Sequence, residues 1–319
     1  MKKISFIILF FFVSAFVLPM TVFFIMNFQD NPKKNGKNKE NTEEISVYFH
    51  QDKSTVEMPM EEYLCGVVSA EMPASFELEA LKAQAVAARS YAVHRMKNPN
   101  SDHPDAAVCT DYTHCKAYKT MQEAKDGWGK DADKFSKKIE NAVYSTQGEV
   151  ITYDGEVALA VFHSQSGGGR TENSADVWGG NVPYLVSVES HGEENAPNFY
   201  SSAVFSFDEF KTAVLSKFPD ANISSKADIG EIKRSQGGSV SSVCVGGVEI
   251  SGKDMRSLFN LRSSCFEISA QDDTVSFEVT GYGHGVGMSQ YGANTMAKEG
   301  YNYVQILTHY YTGTQVEGV

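Results

Sequence analysis

Residues 58–92 read MPMEEYLCGVVSAEMPASFELEALKAQAVAARSYA. Met58-Pro59-Met60-Glu61-Glu62-Tyr63 looks like a helix start, because proline near the first turn loses no hydrogen bond and its fixed φ suits a helix. Pro73 ends that helix, since the residue before a proline is pushed out of helical geometry. A second helix begins near Glu77 and runs to about Met96. Leu78, Leu81, Ala85, Ala88 and Ala92 give it an apolar stripe, and its alanines let a neighbour approach closely. Lys82 and Arg89 are seven apart, so they stack on one face two turns apart. Two cations so placed can clamp an anionic or hydroxyl-rich ligand, or simply form a solvated face.

Outward from this stretch, Ile45 to His50 alternates as a first strand, and another helix covers Asp133 to Ser145. The period then changes. Glu149–Tyr153 and Glu156–Phe162 flank Asp154-Gly155, a two-residue hairpin signal. Val243–Val245, Phe266–Ser269 and Val275–Val279 are strand-like, with short helices at Phe207–Phe218 and Gly252–Leu261. Helices and strands are segregated, without a βαβ rhythm or an internal repeat. That predicts an α+β fold: a helix-rich N-terminal part packed with an antiparallel strand-rich part around a substrate cleft. The body spans 45–319, with a smaller strand-rich subdomain at about 205–280.

The chain has 319 residues, enough to bury a core without disulfides. Its 28 Lys and Arg against 40 Asp and Glu give a net charge of −12, which excludes general attraction to nucleic acid. Residues 1–3 read as a cytoplasmic N-terminus. Ile4 to Phe28 is apolar almost throughout, long enough to cross a bilayer, and lacks a small-x-small cleavage site. It is expected to be an uncleaved transmembrane signal anchor with the body outside the cytoplasm. Residues 29–44, polar and without aromatics, read as a flexible linker.

Glu71 follows an apolar run and precedes Met72-Pro73, so it is expected at a helix end among apolar groups. Desolvation there favours the neutral carboxyl that a general acid needs; an exposed helix-end glutamate is the bland alternative. His163-Ser164-Gln165-Ser166 leaves a strand and enters a glycine run, but lacks the G-x-S-x-G elbow of a hydrolase. Gly281-Tyr282-Gly283-His284-Gly285-Val286-Gly287-Met288-Ser289-Gln290-Tyr291-Gly292 matches neither a dinucleotide fingerprint nor a P-loop. Its alternate glycines allow close backbone approach to a ligand around His284. Of five cysteines, Cys65, Cys244 and Cys265 read as ordinary buried thiols. His103, Cys109, His114 and Cys115 offer a tetrahedral zinc donor set at a spacing unlike standard fingers. A Cys109–Cys115 disulfide is the alternative in an exported domain.

Taken together, residues 58–73, 79–92, Asp176-Val177-Trp178-Gly179-Gly180, Pro183-Tyr184-Leu185 and the glycine-histidine loop strongly resemble the SpoIID family of sporulation proteins, over about residues 45–316. The resemblance implies a membrane-anchored peptidoglycan lytic transglycosylase of septal remodelling and engulfment in endospore formation. Its substrate would be glycan strands lacking stem peptides, cut between N-acetylmuramic acid and N-acetylglucosamine to leave 1,6-anhydromuramic acid ends. Glu71 falls at the family's catalytic glutamate. Lys82, Gln84 and Arg89 fall on its cleft-helix motif, and His163, Ser164, Ser166, His284, Gln290 and Tyr291 match its other polar motifs. Only some members carry the Cys/His cluster, as a zinc site. Its presence resembles the clostridial type, and four protein ligands would make the zinc structural. The resemblance also implies two partners: a sporulation amidase that strips the stems, and engulfment membrane proteins. Two other classes remain open: a non-catalytic glycan-binding amidase enhancer, and a zinc-dependent peptidoglycan amidase.

Overall fold

The computed structural model describes residues 43–99, 103 and 105–318. The expected cytoplasmic residues 1–3, the anchor over 4–28 and the linker up to residue 42 lie outside the described residues. No helix among the described residues is long and apolar enough to cross a membrane.

The chain opens with an antiparallel hairpin of β1 (Glu44–Phe49) and β2 (Ser54–Pro59), in a register that sets Ile45 opposite Met58. Helix α1 (Met60–Glu71) follows directly. Pro59 is its N-cap, and it ends where Met72 turns extended (φ −127°, ψ 137°) ahead of Pro73, as the proline rule requires. Then come α2 (Leu78–Lys97) and β3 (Val108–Cys109), which joins β1 in parallel. Helix α3 (Met121–Trp128) carries no strong sequence signal except the Thr120–Glu123 capping box that starts it. Helix α4 (Ala132–Tyr144) leads into β4 (Glu149–Tyr153). Asp154 and Gly155 both take positive φ (51° and 80°), giving the turn into β5 (Glu156–Val157).

The second hairpin strand is shorter than expected. Ala158 N–H still donates to Ile151 C=O (2.9 Å), but from residue 159 the backbone finds other partners: Leu159 N–H donates to the Tyr184 hydroxyl (2.7 Å), and Val161 C=O accepts from the Tyr311 hydroxyl (2.8 Å). The chain re-enters a sheet only as β6 (Phe162–His163). After the one-turn α5 (Ser174–Trp178) come β7 (Tyr200–Ser206), α6 (Phe207–Lys217), β8 (Ile229–Arg234), β9 (Val240–Val245), β10 (Val248–Ser251), α7 (Gly252–Leu258), β11 (Phe266–Gln271) and β12 (Thr274–Thr280). They form two antiparallel three-stranded sheets, ordered β10-β9-β8 and β11-β12-β7. The chain then returns as β13 (Met288–Ser289), α8 (Gln290–Lys298), α9 (Tyr303–Tyr310) and β14 (Gln315–Gly318). β13 pairs β6 in parallel and β14 pairs β4 antiparallel.

The α+β expectation therefore holds, with two amendments. Among the described residues two strand pairs are parallel, and the C-terminal helices α8 and α9 pack back onto α2. Helix α2 touches α1, α4, β4, α8 and α9, so every residue from Ala83 to Val93 is buried. The expected amphipathic stripe is instead a helix buried on all sides along most of its length. A first apolar core gathers around it. A second, running from Phe210 to Val279, is built on stacked Phe210 and Phe259 (centroids 5.2 Å apart) against Phe277. Cys65 is buried as expected, whereas Cys244 and Cys265 are only half-buried.

Candidate functional site

Glu71 ends α1 because the chain must straighten before Pro73, and this turns its carboxylate out of the helix. Its Oε1 accepts from the Ala117 N–H (2.9 Å), and its Oε2 from Gln290 Nε2 (3.4 Å). The apolar lining expected for Glu71 is thus only part of its setting; one backbone amide and one side-chain amide hold it in place.

Two cavities meet at this carboxylate. One, of about 690 Å³, is lined among others by Tyr91, Arg95, Tyr112, Lys116, His163, Trp178, Tyr282 and His284. The other, of about 370 Å³, is lined by Ser69, Met72, Lys119, Trp128 and Tyr291. Ala70, Glu71, Ser164 and Gln290 line both. Among the described residues lining either cavity, Glu71 is the sole carboxylate. Tyr112, Trp178 and Tyr282 present exposed rings at the larger cavity, Tyr112 at 77% exposure.

The glycine-rich loop brings the C-terminal motif here. Gly283 takes φ 116°, and a Cβ on it would come within 2.8 Å of His163 Cβ; at Gly287 a Cβ would collide with the Val161 carbonyl. Only glycine lets the loop lie this close to β6. His284 contacts both His163 and Trp178 (ring centroids 5.7 and 5.2 Å). Its Nδ1 accepts from the Val286 N–H, and burial with the neighbouring His163 and Lys116 depresses its pKa well below the usual histidine range. His163 is buried and pushed down to about 4, chiefly by desolvation. Its Nδ1–H donates to the Val286 carbonyl (3.2 Å), so Nε2 accepts from the Ser166 hydroxyl (2.8 Å). Ser166 therefore supports His163 from behind and does not line the cleft.

Gln290, the first residue of α8, is aimed by its N-cap. Ser289 Oγ accepts from Gly292 N–H (3.2 Å) and donates to Glu193 Oε2 (2.6 Å). Glu193 also accepts from the Ser190 hydroxyl (2.5 Å) and the Ser166 N–H (2.9 Å), and burial pushes its carboxyl up to about 7. Gln84 lies fully buried behind this group, with its Oε1 accepting from Gln290 (3.4 Å). Tyr291 packs edge-on against Phe76 at the second cavity.

The expected clamp on α2 is corrected by the structure. Arg89 has 0% exposure and pairs with Glu61 (2.6 Å), while its NH1 and NH2 donate to the Glu149 and Val143 carbonyls. Lys82 pairs with Glu79 (2.8 Å) beside Tyr303, and lines neither cavity. Arg89 is lost to the cleft because α1, α4 and β4 close over it, whereas Lys82, two turns earlier, is drawn to Glu79 and Tyr303. The Lys and Arg side chains that do line the cavities are Lys116 and Arg95 in the larger and Lys119 in the smaller. Lys116 is 7% exposed, and burial pushes its ammonium down to about 8. The sequence offers no signal for it beyond its place next to Cys115.

His103, Cys109, His114 and Cys115 come together, their donor atoms all within 4.8 Å of one another. Pairing with β1 fixes Cys109, and a turn in which Asp111 C=O accepts from Cys115 N–H (2.8 Å) folds Cys115 back beside it. The donor separations are 3.3 Å (His103 Nε2 to Cys115), 3.4 Å (His114 Nδ1 to Cys109) and 3.5 Å (His114 Nδ1 to Cys115). A tetrahedron with bonds of about 2.0–2.3 Å has edges of roughly 3.3–3.8 Å, which these three separations match, and two thiols with two imidazoles are a donor set suited to zinc. His103 Nδ1–H donates to the Ala106 carbonyl, which leaves Nε2 free to ligate. Both cysteines are free thiols, so no Cys109–Cys115 disulfide is present.

A family model described as SpoIID, stage II sporulation protein, matches residues 48–153, the segment holding Glu71 and the Cys/His cluster. The amidase enhancer of Bacillus subtilis (strain 168) is 28% identical over 303 residues, covering 79% of this chain but 40% of that protein. Stage II sporulation protein D of Bacillus amyloliquefaciens is 37% identical over 280 residues, 87% of this chain and 80% of that one. Stage II sporulation protein D of Bacillus subtilis (strain 168) is 39% identical over 274 residues, 85% of this chain and 78% of that one. Likeness at that level along most of both chains makes this protein a member of the SpoIID family of sporulation proteins.

Proposed function

We propose that the protein is a peptidoglycan lytic transglycosylase. It cleaves peptide-stripped glycan strands between N-acetylmuramic acid and N-acetylglucosamine during septal remodelling and engulfment. The observation that carries this reading is a lone carboxylate, Glu71, at the junction of two cavities. A polymer that continues on both sides of its scissile bond needs such a through-groove, and the exposed Tyr112, Trp178 and Tyr282 rings suit the apolar faces of sugar rings. A retaining glycosidase needs a second carboxyl about 5–5.5 Å away, and an inverting one needs it about 6.5–9.5 Å away. Neither cavity supplies one. An intramolecular nucleophile makes one carboxyl sufficient.

Glu71, oriented by Ala117 N–H and Gln290, gives its proton to the glycosidic oxygen as the bond breaks. Its carboxylate then takes the proton of the muramyl C6 hydroxyl, whose oxygen closes onto C1. The product is a 1,6-anhydro end, and no water is consumed. The neutral His163 and His284 line the same cleft as hydrogen-bonding groups. Zinc held by His103, Cys109, His114 and Cys115 would be structural, since four protein donors leave no position for substrate. That closed set also weighs against a zinc amidase, and the low coverage of the amidase enhancer weighs against a purely binding role. The apolar 4–28 stretch, acting as a signal anchor, would hold the body outside the cytoplasm, in reach of a stem-removing amidase and engulfment membrane proteins.

Mass spectrometry of products from peptide-free strands tests the proposal. Ends in 1,6-anhydromuramic acid, one water lighter than reducing ends and absent with Glu71→Gln, are expected. Reducing ends would make the protein a hydrolase, and binding without cleavage would make it a binding module.

A further inference from the structure

The larger cavity holds two cations, Lys116 and Arg95, that the proton transfers leave unused. Lys116 is nearly buried, its Nζ 3.7 Å from the centroid of Phe162 and 4.5 Å from that of Tyr91. No ion pair or hydrogen bond engages its ammonium among the described residues, although it lines the larger cavity with Glu71. Arg95 lies one turn beyond Tyr91 on α2, its guanidinium 5.2 Å from that ring, and its Nε is buried without a partner. Ring faces offset part of the desolvation of a cation, but they do not replace the hydrogen bonds that an ammonium or guanidinium loses on leaving water. Both groups stand ready to donate to an anion entering the cavity, within a chain whose net charge is −12.

The proposed substrate supplies one anion class at this place. In a stem-free strand each muramyl lactyl group ends in a carboxylate. With a stem attached, the same carbon is an uncharged amide. We infer that Lys116 and Arg95 form a carboxylate subsite that reads the free lactyl group and so selects stem-free strands. This inference rests on the glycan reading and gives Lys116 and Arg95 the anion-clamping place that the heptad spacing offered to Lys82 and Arg89. Hydrogen bonds to charged partners are the ones whose loss is costly, whereas an amide carbonyl accepts from a cation more weakly.

The test measures binding separately from cleavage. The full chain carrying Glu71→Gln is titrated calorimetrically with stem-free strands, and with the same strands after methylamine coupling has turned their lactyl carboxylates into amides. About tenfold or greater weakening on the coupled strands is expected. Adding Lys116→Met should bring binding of free strands down to the coupled level, Lys116→Arg should restore most of the difference, and Arg95→Gln should remove part of it. Lys116→Met adjoins Cys115 and could disturb folding. The strand modification and Arg95→Gln probe the subsite with Lys116 intact. Equal binding of both strands, no binding of either, or full discrimination retained by both Lys116→Met and Arg95→Gln would overturn the subsite. Discriminating binding without 1,6-anhydro products from the unmutated chain would leave the subsite standing and remove the transglycosylase reading alone.

Discussion

The two apolar cores are built on opposite terms. The first buries Glu61, Gln84, Arg89, His163, Glu172, Glu193, Ser289 and Gln290. Between Tyr200 and Thr280, around the second, Ser263 is the one buried polar residue among those described. The rest of that core is aliphatic and aromatic, with valines such as Val214, Val243 and Val275 around Phe210, Phe259 and Phe277, which touch one another, and Phe266, which meets Phe277 edge-on. A buried polar group costs about 1–3 kcal/mol if its partner is missing, so polar burial accumulates where side chains must be held in one orientation. The first region fixes Glu71 and Gln290 in this way, whereas the second is a scaffold. Even its exception serves the site: Ser263 Oγ donates to the Thr280 carbonyl (2.5 Å), where β12 hands the chain to the glycine-histidine loop.

The comparison breaks first at Glu71. Replacement by glutamine keeps the shape and the hydrogen bond from Ala117 N–H but removes proton transfer, so cleavage should fall by about 10²–10⁴ with little change in melting temperature. A rate loss accompanied by unfolding would assign Glu71 to the scaffold. Next in size is the buried Arg89–Glu61 pair. Arg89→Met alone strands a buried carboxylate and should cost about 3–5 kcal/mol in urea unfolding. Joining it to Glu61→Leu should recover most of that loss, because two apolar side chains of similar volume need no partner. Phe277→Ala in the other core should cost a similar 3–5 kcal/mol through its cavity, yet leave the cleavage rate of the folded fraction intact. If the double variant at Arg89 and Glu61 stayed as unstable as the single one, the pair would be doing more than balancing charge.

These contrasts explain what the sequence could disclose. Glu71 and the Cys/His cluster were legible because short-range rules govern them: a proline two residues on, and donors within thirteen residues of chain. Arg89 was not. Its heptad partner Lys82 lies partly exposed at the start of α2, and nothing local announces that α1, α4 and β4 close over Arg89. Glu193 sits in His191-Gly192-Glu193-Glu194-Asn195, which reads as a polar surface loop. Only the fold brings Ser166 and Ser289 onto its carboxylate. Lys116 was illegible for the same reason: a lysine beside a cysteine has no pattern until Phe162 and Tyr91 enclose it.

Glu193 gives the next smaller test. Burial, with a smaller push from neighbouring Glu194, raises its carboxyl from 4.5 to about 7, against hydrogen bonds from Ser190, Ser289 and Ser166 that lower it. The folded state therefore holds this proton more tightly than the unfolded one. Below about pH 4.5 both states are protonated; between 4.5 and 7 stability falls as pH rises, by at most about 3 kcal/mol in all. His163, depressed to about 4, has the opposite slope between its ordinary 6.5 and 4, where stability falls as pH falls. The difference between the unmutated protein and Glu193→Gln isolates the glutamate. Unfolding free energies at pH 5 and 7 should differ less favourably for the unmutated chain at pH 7, and an unchanged difference would mean that Glu193 is ionised in the folded state throughout.

The smallest effect belongs to the second region's surface. Lys217 bonds to Asp254 (2.5 Å), joining α6 to α7, but both side chains remain substantially exposed. Asp254 is held below the usual carboxylate range first by that bond and then by Ser251, which Asp254 also engages at the N-cap of α7. Water and salt screen such a pair, so Lys217→Ala should cost only about 0.2–1 kcal/mol, and less at high ionic strength. A loss near that of Arg89→Met would show that exposed charge holds the scaffold as firmly as buried charge holds the site. The contrast between the two cores would then fail, because it requires that only desolvated, partnered polar groups carry large free energies in this chain.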